Sequence, residues 1–114
     1  MSRRRSGAAV KVADAESVFT ALADPTRLRI VARLSDEGPL SIARLSDGAG
    51  VTRQAVTKHL QALGDAGLVR DTRAGRERIF ELEPKRLEKA RRYLDQVAAS
   101  WDATIGRLKA FVEE

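Results

Sequence analysis

The sequence has no cysteine, and its only histidine is His59. The missing thiols exclude disulfides, thiolate metal sites and thiol-based redox switches, because each of them needs a sulfur atom. A single imidazole cannot build a histidine-based metal cluster within one chain. The sequence also offers no Ser-His-Asp arrangement, no glycine-rich phosphate loop and no convincing pair of carboxylates. We therefore expect no metal site, no other cofactor and no enzymatic activity.

Long hydrophobic runs are missing as well. No apolar stretch approaches the roughly 20 residues that a helix needs to cross a bilayer. Near the amino terminus, the apolar stretch at residues 7–10 is followed directly by Lys11, and it is too short for the apolar region of a signal peptide. We therefore expect a cytoplasmic protein that has no membrane partner.

Positive charge is the main excess in this composition. The 114 residues amount to one domain, and they carry a net charge of +5. Such an excess indicates a polyanionic partner, although the same charge could simply keep a soluble protein from associating. Residues 1–11, which include Arg3, Arg4 and Arg5, predict a flexible basic arm. This arm is either a solvated tail or a segment that touches DNA.

Two amphipathic helices follow the arm. Apolar residues at helical spacing predict a first helix over residues 13–23. Asp24 and Pro25 predict the start of a second helix, because an aspartate accepts free amide hydrogens there and proline suits the first helical position. The second helix is expected to end near Ser35. Its predicted inward residues are Leu28, Ile30, Val31 and Leu34, and its predicted outward residues are Arg27, Arg29 and Arg33.

The next segment predicts a helix-turn-helix. Leu40 is expected to form a very short strand, and a third helix covers residues 42–47. After a glycine-containing turn, Thr52 caps a fourth helix that ends near Ala66, where Gly67 supplies the left-handed stop. A short helix, a tight turn and a second capped helix are typical of this motif.

A small β-hairpin and a long helix complete the chain. Residues 68–73 and 76–82 predict paired strands around a turn at Ala74-Gly75, and a helix is expected over residues 84–112. Gly106 either kinks this helix or splits off a short last one. Mainly α structure with a small β-hairpin is therefore the expected architecture.

The long helix has an apolar seam with spacings that alternate between three and four residues, as in a helix that packs along another helix. Trp101 and Tyr93 lie on or beside this seam, and they indicate a dimer or core contact rather than a ligand-binding box. The seam residues are Leu87, Ala90, Leu94, Val97, Trp101, Thr104 or Ile105, Leu108 and Phe111.

The fourth helix offers a polar face that suits a DNA major groove. At 100° per residue, its apolar residues Val56, Leu60 and Leu63 fall on one side. A polar opposite face is ordinary for an amphipathic helix, but this one carries no carboxylate over residues 53–61. Gln can pair with adenine and Arg with guanine through two hydrogen bonds each. The residues of this face are Arg53, Gln54, Thr57, Lys58 and Gln61.

Arginines are concentrated near the tip of the hairpin. Strand alternation predicts that Arg76 and Arg78 share a face with Phe80 and Leu82, so that their stems pack while their charged heads reach outward. We expect contacts with DNA phosphates or with the minor groove, and the alternative is ordinary protection of a sheet edge by charge. The hairpin arginines are Arg70, Arg73, Arg76 and Arg78.

His59 falls on the alanine-rich flank of the fourth helix, beside the polar face rather than on it. This position favours a structural role for the imidazole over the reading of a base, and contact with a phosphate remains an alternative.

Two segments resemble the bacterial transcriptional regulators of the ArsR type, also called ArsR/SmtB. Residues 19–31 (FTALADPTRLRIV) are similar to the opening motif of that family, aLadptRlrIl. Residues 55–69 (AVTKHLQALGDAGLV) are similar to its recognition segment, aVSrHLkvLreaGLV. The hairpin resembles the wing of the family. The resemblance is strong over residues 18–84 and looser in the terminal helices.

The resemblance implies a winged helix-turn-helix domain over residues 12–83 and a dimerisation helix over residues 84–114. It also implies a homodimer that binds a two-fold symmetric operator in double-stranded DNA and usually represses nearby genes. The implied contacts in the major groove are Thr52, Arg53, Gln54, Thr57 and Lys58, with Arg73, Arg76 and Arg78 in the wing. The implied dimer contacts are Phe19, Leu87, Leu94, Val97, Trp101, Ile105 and Leu108.

This sequence departs from the family in the residues that sense signals. Many members bind metals through cysteines on the third helix or through histidines and carboxylates on the last helix, and this chain has neither set. The DNA-binding half of the resemblance therefore carries over, and the known sensing half does not. Two alternatives remain: a helical dimerisation or interaction module that does not bind DNA, and a sensor of an unidentified small-molecule effector.

Overall fold

The computed structural model describes residues 12–113 apart from the side chain of Asp14, and the predicted basic arm at residues 1–11 lies outside them. The architecture that the sequence predicts is confirmed: the described residues are mainly helical, with a small antiparallel sheet. The elements are α1 (Val12–Leu22), α2 (Pro25–Glu37), β1 (Leu40–Ser41), α3 (Ile42–Ser46), α4 (Arg53–Asp65), β2 (Val69–Ala74), β3 (Glu77–Leu82) and α5 (Pro84–Glu113). The strand order in the sheet is β1-β3-β2.

Side-chain caps fix where three of the helices begin. The carboxylate of Asp24 accepts hydrogen bonds from the amides of Thr26 (2.8 Å) and Arg27 (3.0 Å) at the start of α2. The hydrogen bond from the amide of Arg27 is the largest cause that lowers the pKa of Asp24, and the bond from the amide of Thr26 lowers it further. The hydroxyl groups of Ser41 and Thr52 accept the amide three residues later, at the starts of α3 and α4. The helix-turn-helix is therefore delimited by local hydrogen bonds.

The hairpin turn lies one residue later than the sequence predicts. Ala74 pairs with Glu77, so Gly75 and Arg76 form the two-residue turn. Gly75 has a φ of 64°, and a glycine at the first central position is what a type II′ turn requires. Arg76 therefore sits at the tip of the hairpin. The prediction that Arg76 belongs to the strand is wrong, although it lines the same cavity as Arg78.

Two further predictions need correction. Leu28 is 50% exposed, although the sequence pattern predicts that it points inward. It lies about 160° around α2 from the buried Ile30, so both cannot face the same core. Gly106 does not split α5, which continues as one helix of 30 residues. A glycine inside an exposed helix costs only about 1 kcal/mol, and the neighbouring turns tolerate that cost.

The core lies where α4 meets α1, α2, α3 and the sheet. Its largest fully buried side chains are Val18, Leu45, Val56, Leu60, Leu63 and Leu68. Phe80 of β3 is also buried and pairs with Leu40 of β1, so the sheet closes one side of this core. α1 packs along the first part of α5, where Ala90 joins the same cluster. The division of the chain into a winged helix-turn-helix domain (residues 12–83) and a dimerisation helix (residues 84–114) stays a prediction.

Two kinds of feature are absent from residues 12–113. No helix there combines the length and the apolarity that a membrane span requires. Among the described side chains of this segment, no three His, Asp or Glu residues lie close enough together to hold a metal ion.

A matched pair of leucine variants tests the assignment of the core. We expect Leu63→Ala to lower the free energy of unfolding by about 2–5 kcal/mol, because the side chain is fully buried and leaves a cavity. Leu28→Ala removes the same atoms from the surface and is expected to cost less than about 1 kcal/mol. Urea unfolding at a fixed protein concentration measures both values. Similar losses in the two variants would contradict the assignment.

Candidate nucleic-acid interface

The outward face of α4 is polar, and it carries no carboxylate over residues 53–61; Asp65 lies on the same arc at the end of the helix. Arg53, Gln54, Lys58 and Gln61 are exposed and Thr57 is half-buried, while the opposite side of the helix is at most 1% exposed. Within residues 12–113, no ion pair involves Arg53 or Lys58. The hydroxyl of Thr57 donates to the carbonyl of Arg53 (2.9 Å), which fixes its orientation. The charge of this face is therefore not neutralised within the described chain.

The register of the hairpin separates its arginines into two faces. Arg70 pairs with Glu81 across the strands, and it lies on the face opposite to the buried Phe80. Its Nε donates to Glu81 (3.0 Å) and its Nη1 to Glu83 (3.0 Å). The hydrogen bond with Glu81 is the main cause that raises the pKa of Arg70. Arg70 is thus occupied by carboxylates on the side of the hairpin that faces away from the core.

Arg78 lies on the inner face of the hairpin, the face of Phe80. Its Nε donates to the carboxylate of Asp71 (2.9 Å), and its Cζ lies 5.1 Å from the centroid of the Phe80 ring. The sequence predicts that the stem of Arg78 packs while its head reaches outward, whereas in the structure the guanidinium group itself lies over Phe80. Arg73 lies directly opposite Arg78 across the strands. Arg73 and the tip residue Arg76 form no ion pair with any other described residue.

A cleft between α4 and the hairpin contains two open cavities, of about 400 and 240 Å³. Thr57 and Arg78 line both of them. The larger cavity also has Arg70 and two carboxylates among its lining residues, Asp65 and Asp71. The charged residues that line the smaller cavity are Arg53, Arg76, Arg78 and Glu77. The smaller cavity therefore carries the excess of positive charge.

His59 connects α4 to the preceding helices. Its Nδ1 accepts a hydrogen bond from Nε of Arg27 (3.1 Å), and Nη1 of Arg27 donates to the carbonyl of Ala21 in α1 (3.3 Å). The expected structural role of His59 is consistent with this contact. The prediction that Arg27 points outward is wrong, because its side chain is half-buried between α1, α2 and α4.

The predicted dimer residues lie mostly on the surface of this single chain. Leu94, Trp101, Ile105 and Leu108 are 48–62% exposed along one side of α5. Phe19 is 37% exposed, and its ring lies 6.3 Å from that of Tyr93, between centroids. Val97 is half-buried. Leu87 instead packs against the core of its own chain. Their contacts with a second copy stay a prediction.

A helix-turn-helix with a polar second helix, flanked by a basic hairpin, defines a winged helix-turn-helix DNA-binding fold. Residues 22–72 match the model of a family described as a helix-turn-helix domain. The HTH-type transcriptional regulator Rv2034 of Mycobacterium tuberculosis is 42% identical over 81 residues, which cover 71% of this chain and 75% of that protein.

Two solved structures extend this similarity. An ArsR-like transcriptional regulator from Rhodococcus sp. RHA1 superposes with a TM-score of 0.77 and 36% identity, covering 87% of this chain and 92% of that one. The homodimeric winged helix-turn-helix DNA-binding domain Mb0332 from Mycobacterium bovis superposes with a TM-score of 0.62 and 27% sequence identity. The superposition covers 88% of this chain and 91% of that one. The chain belongs to the ArsR-like family of transcriptional regulators. It is a DNA-binding transcriptional regulator, as the sequence predicts.

The contact between Arg27 and His59 can be tested with two substitutions at one position. His59→Ala removes the acceptor, whereas His59→Asn keeps an oxygen at the place of Nδ1. We expect His59→Ala to be less stable than His59→Asn by about 1 kcal/mol, the usual net value of a hydrogen bond. Thermal and urea unfolding measure this difference. Equal stability of the two variants would show that the contact contributes nothing.

Proposed function

We propose that this protein represses transcription as a homodimer that binds an inverted-repeat operator. The observation that carries the proposal is the outward face of α4, which over residues 53–61 has exposed Arg, Gln and Lys side chains and no carboxylate. Helices that lie only in water usually mix both signs of charge. A promoter occupied in this way excludes RNA polymerase.

The residues of α4 would read bases and those of the hairpin would hold the backbone. Gln54 suits adenine and Arg53 suits guanine, because each can form two hydrogen bonds with the edge of that base. We assign the major-groove contacts to Thr52, Arg53, Gln54, Thr57 and Lys58. We assign contacts with phosphates or with the minor groove to Arg73, Arg76 and Arg78.

The dimer would form through α1 and α5. The apolar side chains exposed along α5 form a longer stripe than a monomer usually leaves in water, and Mb0332 is described as homodimeric. A dimer would present two α4 helices to successive major grooves, about 34–36 Å apart. An effector would act by changing the relative angle of the two α4 helices. To do so, it must bind the arrangement that fits DNA and the one that does not with different affinity. A protein that regulates bacterial genes in this way works in the cytoplasm, which is where we place it.

Selection of bound duplexes from a random library tests the function directly. We expect a palindromic consensus with the wild-type protein. Arg53→Ala and Gln54→Ala should each lose about 1–3 kcal/mol of discrimination at one base pair of each half-site. Arg92→Ala is the matched control, because Arg92 is exposed on α5 opposite the apolar seam. Equally weak binding of every duplex would contradict the proposal and would favour an interaction module that does not bind DNA.

A charge placed on the seam tests the dimer. We expect Leu108→Glu to shift the protein to monomers in sedimentation equilibrium, because the new carboxylate would be buried against a second copy. Operator affinity should fall with it, since only one half-site is then held. Ala103→Glu adds the same charge to the opposite side of α5 and should leave the dimer intact. A wild-type protein that is monomeric at all concentrations would contradict this assignment.

A further inference from the structure

We propose that Asp71 is a positioning residue for DNA recognition. Its carboxylate holds Arg78 so that the free edge of the guanidinium group receives one DNA phosphate in the smaller cavity, between α4 and the hairpin. This inference rests on the proposed DNA-binding function, and it assigns a task to an acidic residue that neither the family resemblance nor the charge pattern explains.

An aspartate in this position has an electrostatic cost for DNA binding. Asp71 lies on the inner face of β2, opposite Phe80, and its side chain is 42% exposed. A carboxylate beside a DNA-binding surface repels phosphates, so its presence lowers affinity for any duplex. The loss of affinity that Asp71 causes is offset if Asp71 also makes binding more selective. Selectivity depends on the geometry of the contacts as well as on charge.

The guanidinium group of Arg78 is held in one orientation. Its Nε donates to Asp71, and its Cζ lies over the ring of Phe80, which is itself buried. The Nε bond leaves the two Nη groups, for which no acceptor is found among residues 12–113. Two parallel N–H groups on one planar edge match the oxygens of a phosphate. Asp71 therefore fixes the orientation of Arg78 and leaves its two Nη groups available to a phosphate.

Arg70 provides the contrast within the same hairpin. Carboxylates of two residues, Glu81 and Glu83, occupy both its Nε and its Nη1. Its binding edge is closed, and it lies on the opposite face of the sheet. Arg70 and Arg78 thus both bond to carboxylates, but only Arg78 keeps its two Nη groups free of them.

The charges around the cleft decide where a phosphate binds. The larger cavity is lined by the carboxylates of Asp65 and Asp71, and of its two arginines Arg70 is already bonded to Glu81 and Glu83. The smaller cavity is lined by Arg53, Arg76 and Arg78 against Glu77 alone. Thr57 borders both cavities, which places the predicted phosphate beside the base-reading face of α4. A phosphate held there fixes the distance between the DNA backbone and α4, and so the register of base contacts.

Two substitutions of Asp71 separate its effect on the orientation of Arg78 from the effect of its negative charge. Asp71→Asn and Asp71→Ala both remove the negative charge, and both should bind random-sequence duplex more tightly. Only Asp71→Ala removes the acceptor of Arg78. We expect the ratio of operator to random-duplex affinity to fall about tenfold in Asp71→Ala, as for the removal of one well-formed charged hydrogen bond. In Asp71→Asn the ratio should stay within about twofold of wild type.

A double-mutant cycle and a salt titration complete the test. Arg78→Ala should reduce the slope of log affinity against log salt by about 0.9 for each phosphate that the variant no longer neutralises. Asp71→Ala should have no further effect on the affinity ratio in the Arg78→Ala background. Glu81→Ala is the matched control, because it also removes a carboxylate from an arginine of the hairpin, and its ratio should not change.

Three results would overturn the inference: an unchanged ratio in Asp71→Ala, equal losses in Asp71→Ala and Asp71→Asn, or a loss in Asp71→Ala that persists without Arg78. If the wild-type protein selects an operator and any of these is found, only the role of Asp71 fails. If the wild-type protein selects no operator, the proposed function and this inference fail together. Urea unfolding of each variant confirms that the binding measurements concern folded protein.

Discussion

The burial of one side of α4 is the constraint on which the rest of the structure depends. Val56, Leu60 and Leu63 are at most 1% exposed, so the helix cannot rotate about its axis without exposing them. A rotation by one residue, or 100°, would also bring charged side chains toward the core, where a charge without a partner is very costly. The outward direction of Arg53, Gln54 and Lys58 is therefore enforced by apolar packing on the other side of the helix.

Local partners divide the arginines of this basic chain into two groups. Arg27 bridges helices, Arg33 bonds to Glu37 and to the carbonyl of Arg44, and Arg70 lies between two glutamates. These side chains contribute to the fold, and the charges of Arg33 and Arg70 are matched by carboxylates. Arg53, Arg73 and Arg76 have no such carboxylate partners within residues 12–113. Together with Lys58, they leave unmatched positive charge at α4 and the hairpin tip, while α5 carries further lysines and arginines without an ion pair in the same segment.

Local signals made most of the fold predictable. Asp24, Ser41 and Thr52 indicate helix starts through hydrogen bonds that span two or three residues, and Gly67 indicates an end. The spacing of Val56, Leu60 and Leu63 correctly predicts the buried side of α4. These features depend on neighbours in the chain, so the sequence displays them directly.

The errors concern contacts between distant residues. Arg27 lies 32 residues from His59, and no periodic pattern relates the two. The shift of the hairpin turn follows from the backbone preference of Gly75, which places Arg76 at the tip. The sequence alone does not single out Asp71, because its partner is known only once the strand register is known. Carboxylates that lie two positions diagonal to an arginine across a hairpin are the signal that could have indicated it.

The bond between the hydroxyl of Thr57 and the carbonyl of Arg53 has a chemical consequence. Its hydrogen is already committed to the helix, so the side chain offers lone pairs and a methyl group to whatever approaches it. Amino groups of adenine or cytosine and the methyl group of thymine can interact favourably with such a surface. The O6 and N7 atoms of guanine, which only accept, find no donor there.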